Sequence, residues 1–288
     1  MKAALALVVA LVIMGCTGSG LEVVRLTSSP WKEAFPSFTP DGRVLYASEE
    51  VGNYDLWFMN TDGTGKRRLT VDEGYDILPA STPKGIVYES GTGVWILSDG
   101  ERRPILTGGW YSDPRPSPDG RLIAYVNTTG EQELWLLDLG GDNRKLLLTG
   151  PPRLKKDPAW SPDGREIAFA GMEAGTWDIY VMRLGGGAPI QLTQGGGEAD
   201  RPVYIPDGGG VVYRRQGNRT ELWQMGARGE DPRPFVLGTD SMMTSAFSPD
   251  GKNFAFDARR GRNLDIWLLR NPSGDWRKVV VDLALQPP

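Results

Sequence analysis

Short apolar segments alternate with glycine- and proline-rich turns along most of the chain, and this pattern predicts many short strands. Segments such as residues 165–169 and 265–267 end in aromatic residues and are bounded by turn sequences, as is typical of β-strands. The 38 glycines and 22 prolines are spread over the whole length, so long helices are not expected. The predicted fold class is therefore all-β.

A proline turn recurs along the chain at an almost constant spacing. The six turn prolines are separated by 43, 35, 44, 44 and 43 residues: Pro40, Pro83, Pro118, Pro162, Pro206 and Pro249. Five of the six are followed by Asp-Gly, which is strong turn chemistry. A repeat of about 40 to 45 residues is typical of propeller blades, so the spacing predicts six units.

Two aromatic positions recur in step with the turn. The first follows the proline by five to seven residues, and we expect it to pack between blades: Tyr46, Tyr88, Tyr125, Phe169, Tyr213 and Phe256. The second stands in the next strand: Trp57, Trp95, Trp135, Tyr180, Trp223 and Trp267. Their periodicity favours core packing over a stacking platform for sugars.

The two aromatic positions mark two strands of each unit. A strand ending in Leu-Thr and the strand that enters the proline turn bring the number to four. This predicts a six-bladed β-propeller of four-stranded blades. A β-sandwich or a tandem array that does not close is the alternative. The propeller is expected over residues 23–288, with units at about 33–70, 73–109, 110–150, 151–195, 196–239 and 241–283.

Ring closure has two candidate segments. Val23 to Thr27 has the Leu-Thr ending of an outermost strand and lies 43 residues before Thr70, so we expect it to pair with the sixth unit. The sixth unit also has its own candidate, Arg277 to Val281. We expect this C-terminal strand to lie beside the first segment or to replace it, since an open edge strand is a liability.

The first residues have the features of a signal peptide, predicted over residues 1–15. Lys2 precedes an apolar run from Ala3 to Met14, and Cys16 is the only cysteine of the chain. Twelve apolar residues are too few to cross a hydrocarbon core of about 30 Å as a helix. The alternatives are a lipoprotein signal and an ordinary secretory peptide with an incidental cysteine.

The sequence Ile-Met-Gly-Cys at 13–16 resembles the lipobox of bacterial lipoproteins, in which the cysteine becomes the N-terminus and carries the lipid. The resemblance implies lipidation of Cys16, a tether at residues 16–22 and attachment to the extracytoplasmic side of a membrane in the cell envelope. In organisms with two membranes, lipoproteins that have no Asp directly after the lipidated cysteine are mostly sent to the outer membrane. Thr17 stands at this position, so the resemblance implies the outer membrane in such organisms.

The repeats themselves resemble the TolB-like, WD-type propeller family, whose mark is a proline, then Ser-Pro-Asp-Gly, a strand, and an Asp-Ile-Trp or Asp-Ile-Tyr strand. The likeness extends from Glu33 to Asp282. It implies a six-bladed propeller used mainly for protein contact in the cell envelope. TolB itself has a separate α/β domain before its propeller, whereas only Leu21 to Lys32 come before the first unit here. The role and partners of TolB are therefore not carried over.

Composition removes several classes of function. The chain has no histidine, which excludes Ser-His-Asp hydrolysis and His-ligated metal sites. The formal net charge of -4 argues against nucleic acid as a partner. We expect a monomeric, non-catalytic scaffold without a cofactor that binds an envelope protein or a cell-surface glycan. Trp31, Trp110 and Trp177 are contact candidates in predicted loops.

The rival interpretation is an enzyme, because propellers that resemble this one also occur in prolyl-peptidase-like hydrolases and polysaccharide lyases. The former carry a hydrolase domain after the propeller, and the latter use histidine-rich metal sites. A glycosidase needs only two carboxylic acids, so a carboxylate-only enzyme stays open.

A second proline stands four residues before the turn proline in five units, and an acidic residue precedes it by one to three positions. These residues form a candidate acidic rim: Glu33, Asp76, Asp113, Asp157 and Asp200. In a closed ring they are expected to converge on the channel entrance, with Met243 and Thr244 from the sixth unit. Converging like charges repel, so a cation such as calcium, or a basic segment of a partner, could stabilise the rim. The alternative is that each carboxylate accepts backbone hydrogen bonds or pairs with Lys32, Lys156 or Arg201.

Overall fold

The computed structural model describes residues 20–71, 73–141, 143–195, 197–260 and 263–285, and the backbone pairing of Val8–Val9. The predicted signal peptide, apart from that pairing, and Cys16 lie outside the described residues. The described residues form six sheets, and the four strands of each blade pair antiparallel, which confirms the predicted six-bladed β-propeller.

Each blade runs outwards from an innermost strand at the central channel. Blade 1 consists of β3 (Glu33–Phe38), β4 (Val44–Ser48), β5 (Asp55–Met59) and β6 (Arg67–Arg68). Blade 2 consists of β7 (Asp76–Thr82), β8 (Gly85–Ser90), β9 (Gly93–Ser98) and β10 (Glu101–Leu106). Blade 3 consists of β11 (Tyr111–Pro116), β12 (Leu122–Asn127), β13 (Glu133–Asp138) and β14 (Arg144–Leu148).

Blades 4 to 6 repeat this order. Blade 4 consists of β15 (Leu154–Trp160), β16 (Glu166–Glu173), β17 (Thr176–Arg183) and β18 (Ile190–Gln191). Blade 5 consists of β19 (Glu198–Tyr204), β20 (Gly210–Gln216), β21 (Thr220–Gly226), β22 (Arg233–Thr239) and an added β26 (Val281–Asp282). Blade 6 consists of β23 (Ser245–Phe247), β24 (Asn253–Arg260), β25 (Asn263–Arg270) and β2 (Glu22–Arg25), with β1 (Val8–Val9) outside it. A 3-10 turn at Leu283–Leu285 follows.

The proline turn is held together by its own side chains. In blade 3 the Ser117 hydroxyl donates to Asp119 Oδ1 at 2.6 Å and accepts a hydrogen bond from the backbone N–H of Leu122 at 3.0 Å. The Ser-Pro-Asp-Gly turns of blades 4 and 6 repeat this pattern. These turns lie on one face of the disk, here named the Pro-turn face.

The two recurring aromatic positions lie opposite each other on neighbouring strands. The six cross-strand pairs are Tyr46 with Trp57, Tyr88 with Trp95, Tyr125 with Trp135, Phe169 with Tyr180, Tyr213 with Trp223 and Phe256 with Trp267. The first aromatic of each pair is at most 4% exposed. These pairs account for the aromatic repeat as core packing, since cross-strand neighbours are the unit of sheet stabilisation.

The Leu-Thr ending of an outermost strand is part of a latch with the acidic residue of the preceding strand. In blade 1 the N–H of Leu56 donates to Thr70 Oγ1 at 2.9 Å, and Arg68 pairs with Asp55 at 2.7 Å. Because the threonine satisfies a backbone donor where the short strand ends, the strand can stop after two residues without leaving that group unpaired.

The N-terminal segment closes the ring with the same latch. β2 pairs antiparallel with β25, from Glu22 opposite Arg270 to Arg25 opposite Trp267. Arg25 pairs with Asp265 at 2.8 Å. The expected pairing of this segment with the sixth unit is thus observed.

The expectation for the C-terminal strand is wrong. β26 pairs in parallel with β22 of blade 5 and does not contact β2 as a strand. The reason lies in Trp276, which is 1% exposed and packs against Phe235 and Phe254 of blades 5 and 6. Its indole N–H donates to the carbonyl oxygen of Gly251 at 2.7 Å. Burying this ring directs the chain to blade 5.

Among the described residues, no helix is long and apolar enough to cross a membrane.

Candidate functional site

Each innermost strand of blades 1 to 5 contains a bulge at the residue before its first proline. The residues at this position all have positive φ, between 52° and 58°: Phe35, Leu78, Asp113, Asp157 and Arg201. The strand register shifts at the same place in all five blades. Positive φ is unfavourable for residues with a Cβ atom, and strain of this kind concentrates at functional sites. The repeat therefore maintains a strained ring around the channel.

This ring borders a cavity in the half of the channel nearer the Pro-turn face. The channel cavity has a volume of about 290 Å³ and is lined by residues of all six innermost strands. Much of its wall is proline: Pro36, Pro79, Pro116, Pro118, Pro158, Pro162 and Pro202. Phe35, Trp160, Tyr204 and Phe247 add aromatic surface. Because proline has no N–H group, these wall positions offer no backbone donors.

The charged groups of the channel cavity come from blades 3, 4 and 5. Arg115, Asp157 and Arg201 all line it. Nη1 of Arg201 lies 3.4 Å from Oδ1 of Asp157. Nη1 of Arg115 donates to the carbonyl oxygen of Pro114 at 3.2 Å. The equivalent bulge positions of blades 1 and 2 are apolar, Phe35 and Leu78.

Two carboxylic acids near these arginines have raised pKa values. Burial raises the pKa of Asp157 to about 6, against the opposing effect of Arg201 and with a further contribution from Asp113. Burial raises the pKa of Glu89 to about 7, and the charge of Asp113 reinforces the shift. Burial also lowers the pKa of Arg115. Clusters of perturbed groups in a cavity are typical of functional sites.

The acidic rim is only partly assembled. Asp157 is influenced by the charges of Asp113 and Asp200, so these three carboxylates lie near one another. Glu33 and Asp76 instead lie at the latches, beside Thr27 and Thr70. They are 1% and 0% exposed. Burial raises the pKa of both, and neither lines the channel cavity.

Two of the three remaining acids, Asp157 and Asp200, form ion pairs, as the alternative interpretation of the rim predicts. Asp200 accepts hydrogen bonds from Nε and Nη2 of Arg214 at 2.7 and 2.6 Å and from Nζ of Lys156 at 2.7 Å. Asp157 pairs with Arg201. Lys32 pairs with Glu49 and not with a rim residue. The described residues contain no group of three or more potential metal ligands, and cation binding at the rim stays a prediction.

Glu89, Arg115 and Arg214 were not among the site residues predicted from the sequence. Arg115 directly follows Pro114, and Arg201 directly precedes Pro202, the proline at the same position of the repeat. A charged residue beside this proline is therefore the sequence signal that could have identified both arginines. Glu89 and Arg214 lie in the second strands of blades 2 and 5, where no repeated position distinguishes them.

Three exposed aromatic residues lie on the face opposite the Pro-turn face. Trp31, Tyr75 and Trp110 are 46%, 60% and 62% exposed. Each stands one or two residues before the innermost strand of blade 1, 2 or 3, and together they are here named the aromatic face. Of the predicted contact candidates, Trp31 and Trp110 are thus exposed. Trp177 has the ammonium of Lys156 4.2 Å from its ring centroid.

The family of the chain follows from its similarity to known proteins. The sequence profile of the TolB beta propeller domain matches residues 91–282. The chain belongs to this family. The resemblance found in the repeats is thereby confirmed.

Similar proteins include TolB itself. The Tol-Pal system protein TolB of Anaeromyxobacter dehalogenans is 35% identical over 118 residues, which cover 39% of this chain and 26% of that protein. The crystal structure of TolB from Acinetobacter baumannii superposes with a TM-score of 0.64 at 21% identity, covering 83% of this chain and 63% of that chain. An uncharacterized protein of Agrobacterium fabrum is 30% identical over 146 residues, which cover 49% of this chain and 48% of that protein, so this chain spans about half the length of that relative.

The expectation that the chain is not an enzyme is contradicted by other similar proteins. The uncharacterized peptidase YuxL of Bacillus subtilis is 31% identical over 109 residues, 35% of this chain and 16% of that protein. A puromycin-hydrolyzing peptidase of Mycobacterium tuberculosis has a TM-score of 0.62 at 19% identity over 88% of this chain and 45% of that chain. Propellers like this one therefore occur in enzymes, and the lack of histidine is not a sufficient argument against catalysis.

Proposed function

We propose that this chain is a lipid-anchored envelope protein whose TolB-like propeller binds a protein partner. The observation that carries the proposal is family membership over residues 91–282, together with the similarity to a Tol-Pal system protein. The fold supports it, because a closed propeller presents rigid loops from six blades on each face.

The aromatic face supplies the contact surface in this proposal. Trp31, Tyr75 and Trp110 stand one or two residues before the innermost strands of three neighbouring blades, and they are large and exposed. Tryptophan and tyrosine are enriched among the residues that dominate binding energy at interfaces. Three such anchors on adjacent blades therefore favour a protein partner.

The position of the N-terminal segment is compatible with that surface. Gly20 lies beside Pro272, which follows β25 on the Pro-turn face. A lipid on Cys16 would therefore tether the disk by the Pro-turn face. The aromatic face would then point away from the membrane.

Capture from solubilised envelope tests the binding proposal. We expect the mature domain to retain an envelope protein, and a variant with Trp31→Ser, Tyr75→Ser and Trp110→Ser to retain at least about tenfold less, since single interface anchors contribute about 2 kcal/mol or more. The matched control is Leu146→Ser with Ile190→Ser, which removes exposed apolar side chains (39% and 58% exposed) from the outer strands. Equal retention by the triple variant and the control, or retention of glycan that survives proteinase treatment, contradicts the proposal.

Lipid anchoring has a separate test in Cys16. We expect Cys16→Ser to yield a protein that is unprocessed or released from membranes, because the several acyl chains of a lipoprotein hold it there and a single chain binds only marginally. Fractionation and the mass of the mature N-terminus provide the measurement. A Cys16→Ser protein that is matured and sediments with membranes like the parent would contradict lipidation.

A further inference from the structure

The channel cavity concentrates buried polar atoms that have no hydrogen-bond partner among the described residues. Among the described residues, five buried side-chain atoms without a hydrogen bond belong to residues that line this one cavity. They are Ser37 Oγ, Asp157 Oδ2, Arg201 Nε, Arg201 Nη1 and Tyr204 OH. Buried polar groups are normally paired. A cluster of unpaired ones at a cavity therefore points to a ligand.

The inventory of donors and acceptors specifies the chemistry of that ligand. A guanidinium carries five N–H donors and no acceptor, and the cavity holds two guanidinium groups, Arg115 and Arg201. Arg201 faces Asp157 at 3.4 Å without an aligned hydrogen bond. Donors thus exceed acceptors, and the missing group is an acceptor with more than one oxygen.

The acids nearby limit the charge of that group. Asp113, Asp157 and Glu89 all act on Arg115 through their charge. Burial raises the pKa of Asp157 to about 6 and that of Glu89 to about 7, so both acids can be protonated when an anion binds. Asp113 then balances one of the two arginines, and the site suits one further negative charge better than two, because like charges at close range repel. A carboxylate meets this condition and accepts two parallel hydrogen bonds from an arginine, whereas a phosphate dianion does not meet it.

The wall of the cavity indicates the chemistry of the rest of the ligand. Prolines and the rings of Trp160 and Phe247 surround the space between the arginines and the Pro-turn face. Since the prolines donate no backbone hydrogen bond, only the side chains can fix a polar group, and the body of the ligand meets apolar surface. A volume of about 290 Å³ lies at the lower end of ligand pockets and suits a small acid or one terminal residue of a peptide.

We propose that the channel cavity binds a carboxylate carried on a small apolar body, with Arg115 and Arg201 holding the carboxylate. The source of this group is either a free organic acid or the C-terminus of a polypeptide. The inference goes beyond the proposed function, because the cavity and the aromatic face are on different sides of the disk and either can fail without the other.

The test compares an acid with its uncharged analogue on the unmodified protein. We expect 3-phenylpropionate to bind in calorimetry or ligand-observed NMR and 3-phenylpropionamide to bind at least about tenfold more weakly, the effect of losing a charged hydrogen-bonding group. N-acetyl-alanyl-phenylalanine with a free carboxylate, compared with its amide, forms the peptide arm. Tighter binding of the peptide acid assigns the site to a chain terminus, and tighter binding of phenylpropionate assigns it to a small acid.

Variants locate the binding in the cavity. Arg201→Lys keeps the positive charge beside Asp157 but removes the planar fork of donors, and we expect it to weaken binding of the better acid about tenfold. Arg165→Lys is the matched control, because its side chain is 86% exposed and lies outside the cavity. Equal binding of acid and amide overturns the proposal without any variant. So does an Arg201→Lys protein that melts like the parent and binds the acid unchanged.

Discussion

The Asp200→Asn protein is expected to be about 3–5 kcal/mol less stable than the parent, which is the usual result of removing one partner from a buried ion pair. The carboxylate of Asp200 is 3% exposed and is the common acceptor of Arg214 and Lys156. Asparagine has one oxygen and no charge, so both cations would lose their counterion. Urea unfolding followed by tryptophan fluorescence measures the loss.

A surface pair on the same disk serves as the control for that prediction. Asp207 pairs with Arg277 at 2.8 Å, and the side chains are 41% and 65% exposed. Asp207→Asn is therefore expected to cost less than about 1 kcal/mol. If Asp200→Asn costs no more than Asp207→Asn, the Asp200 pair does not hold blades 4 and 5 together.

The Asp200→Asn substitution should also change how the unfolding free energy depends on pH. Burial tends to raise the pKa of Asp200, but Arg214 and Lys156 outweigh it and hold the pKa below its usual range. A depressed folded pKa contributes stability that is present above the unfolded pKa of about 4 and is lost as the pH falls through the folded pKa. The difference in unfolding free energy between the parent and Asp200→Asn should thus shrink as the pH is lowered from 7 towards 3. A difference that stays constant with pH would show that ionisation of Asp200 is not the source of the stability that the substitution removes.

These pairings determine which residues can test function in the channel. Exchanging Asp113, Asp157 and Asp200 together for asparagine removes the counterion of Arg214 and Lys156 as well as that of Arg201. Loss of binding in such a protein would follow from loss of structure. The arginines that line the cavity and the exposed aromatic residues are the better probes.

The blades were predictable because their contacts are local in sequence. A turn proline, an aromatic residue about seven positions later and its partner across a hairpin all fall within one unit, and each of the six aromatic pairs repeats that geometry. The closing segment was predictable for the same reason, because Thr27 keeps the register of Thr70.

The channel was not predictable in this way, since its neighbours come from different blades. Asp157 and Arg201 are 44 positions apart, as are Lys156 and Asp200. The bulge adds a further difficulty. Asp157 is the bulge residue itself, one position before its proline, whereas Asp76 is three positions before its proline and the bulge residue of that strand is Leu78. Because strand side chains alternate between faces and a bulge inserts one residue, acids a few residues before the same proline need not point in a common direction. Asp157 accordingly lines the cavity and Asp76 does not.

Val24→Asp is expected to have the second large effect, a loss of at least about 4 kcal/mol, since an unpaired charge would enter a closed apolar core. Val24 is 1% exposed and lies in one cluster with Phe38 and Tyr46 of blade 1 and Leu268 of blade 6. β2 is the strand that supplies this contact between the last blade and the first. The residue therefore joins the two ends of the ring.

The effect should spread beyond the substituted strand, because blades 1 and 6 share the cluster that Val24 completes. We expect amide hydrogen exchange to rise first in the outer strands of those two blades, with the unfolding midpoint in urea falling at the same time. Val71→Asp places the same charge at a site that is 77% exposed, and it should leave both measurements unchanged. A Val24→Asp protein with parental exchange in blade 1 would mean that the ring is held closed without β2, through the packing of the innermost strands alone.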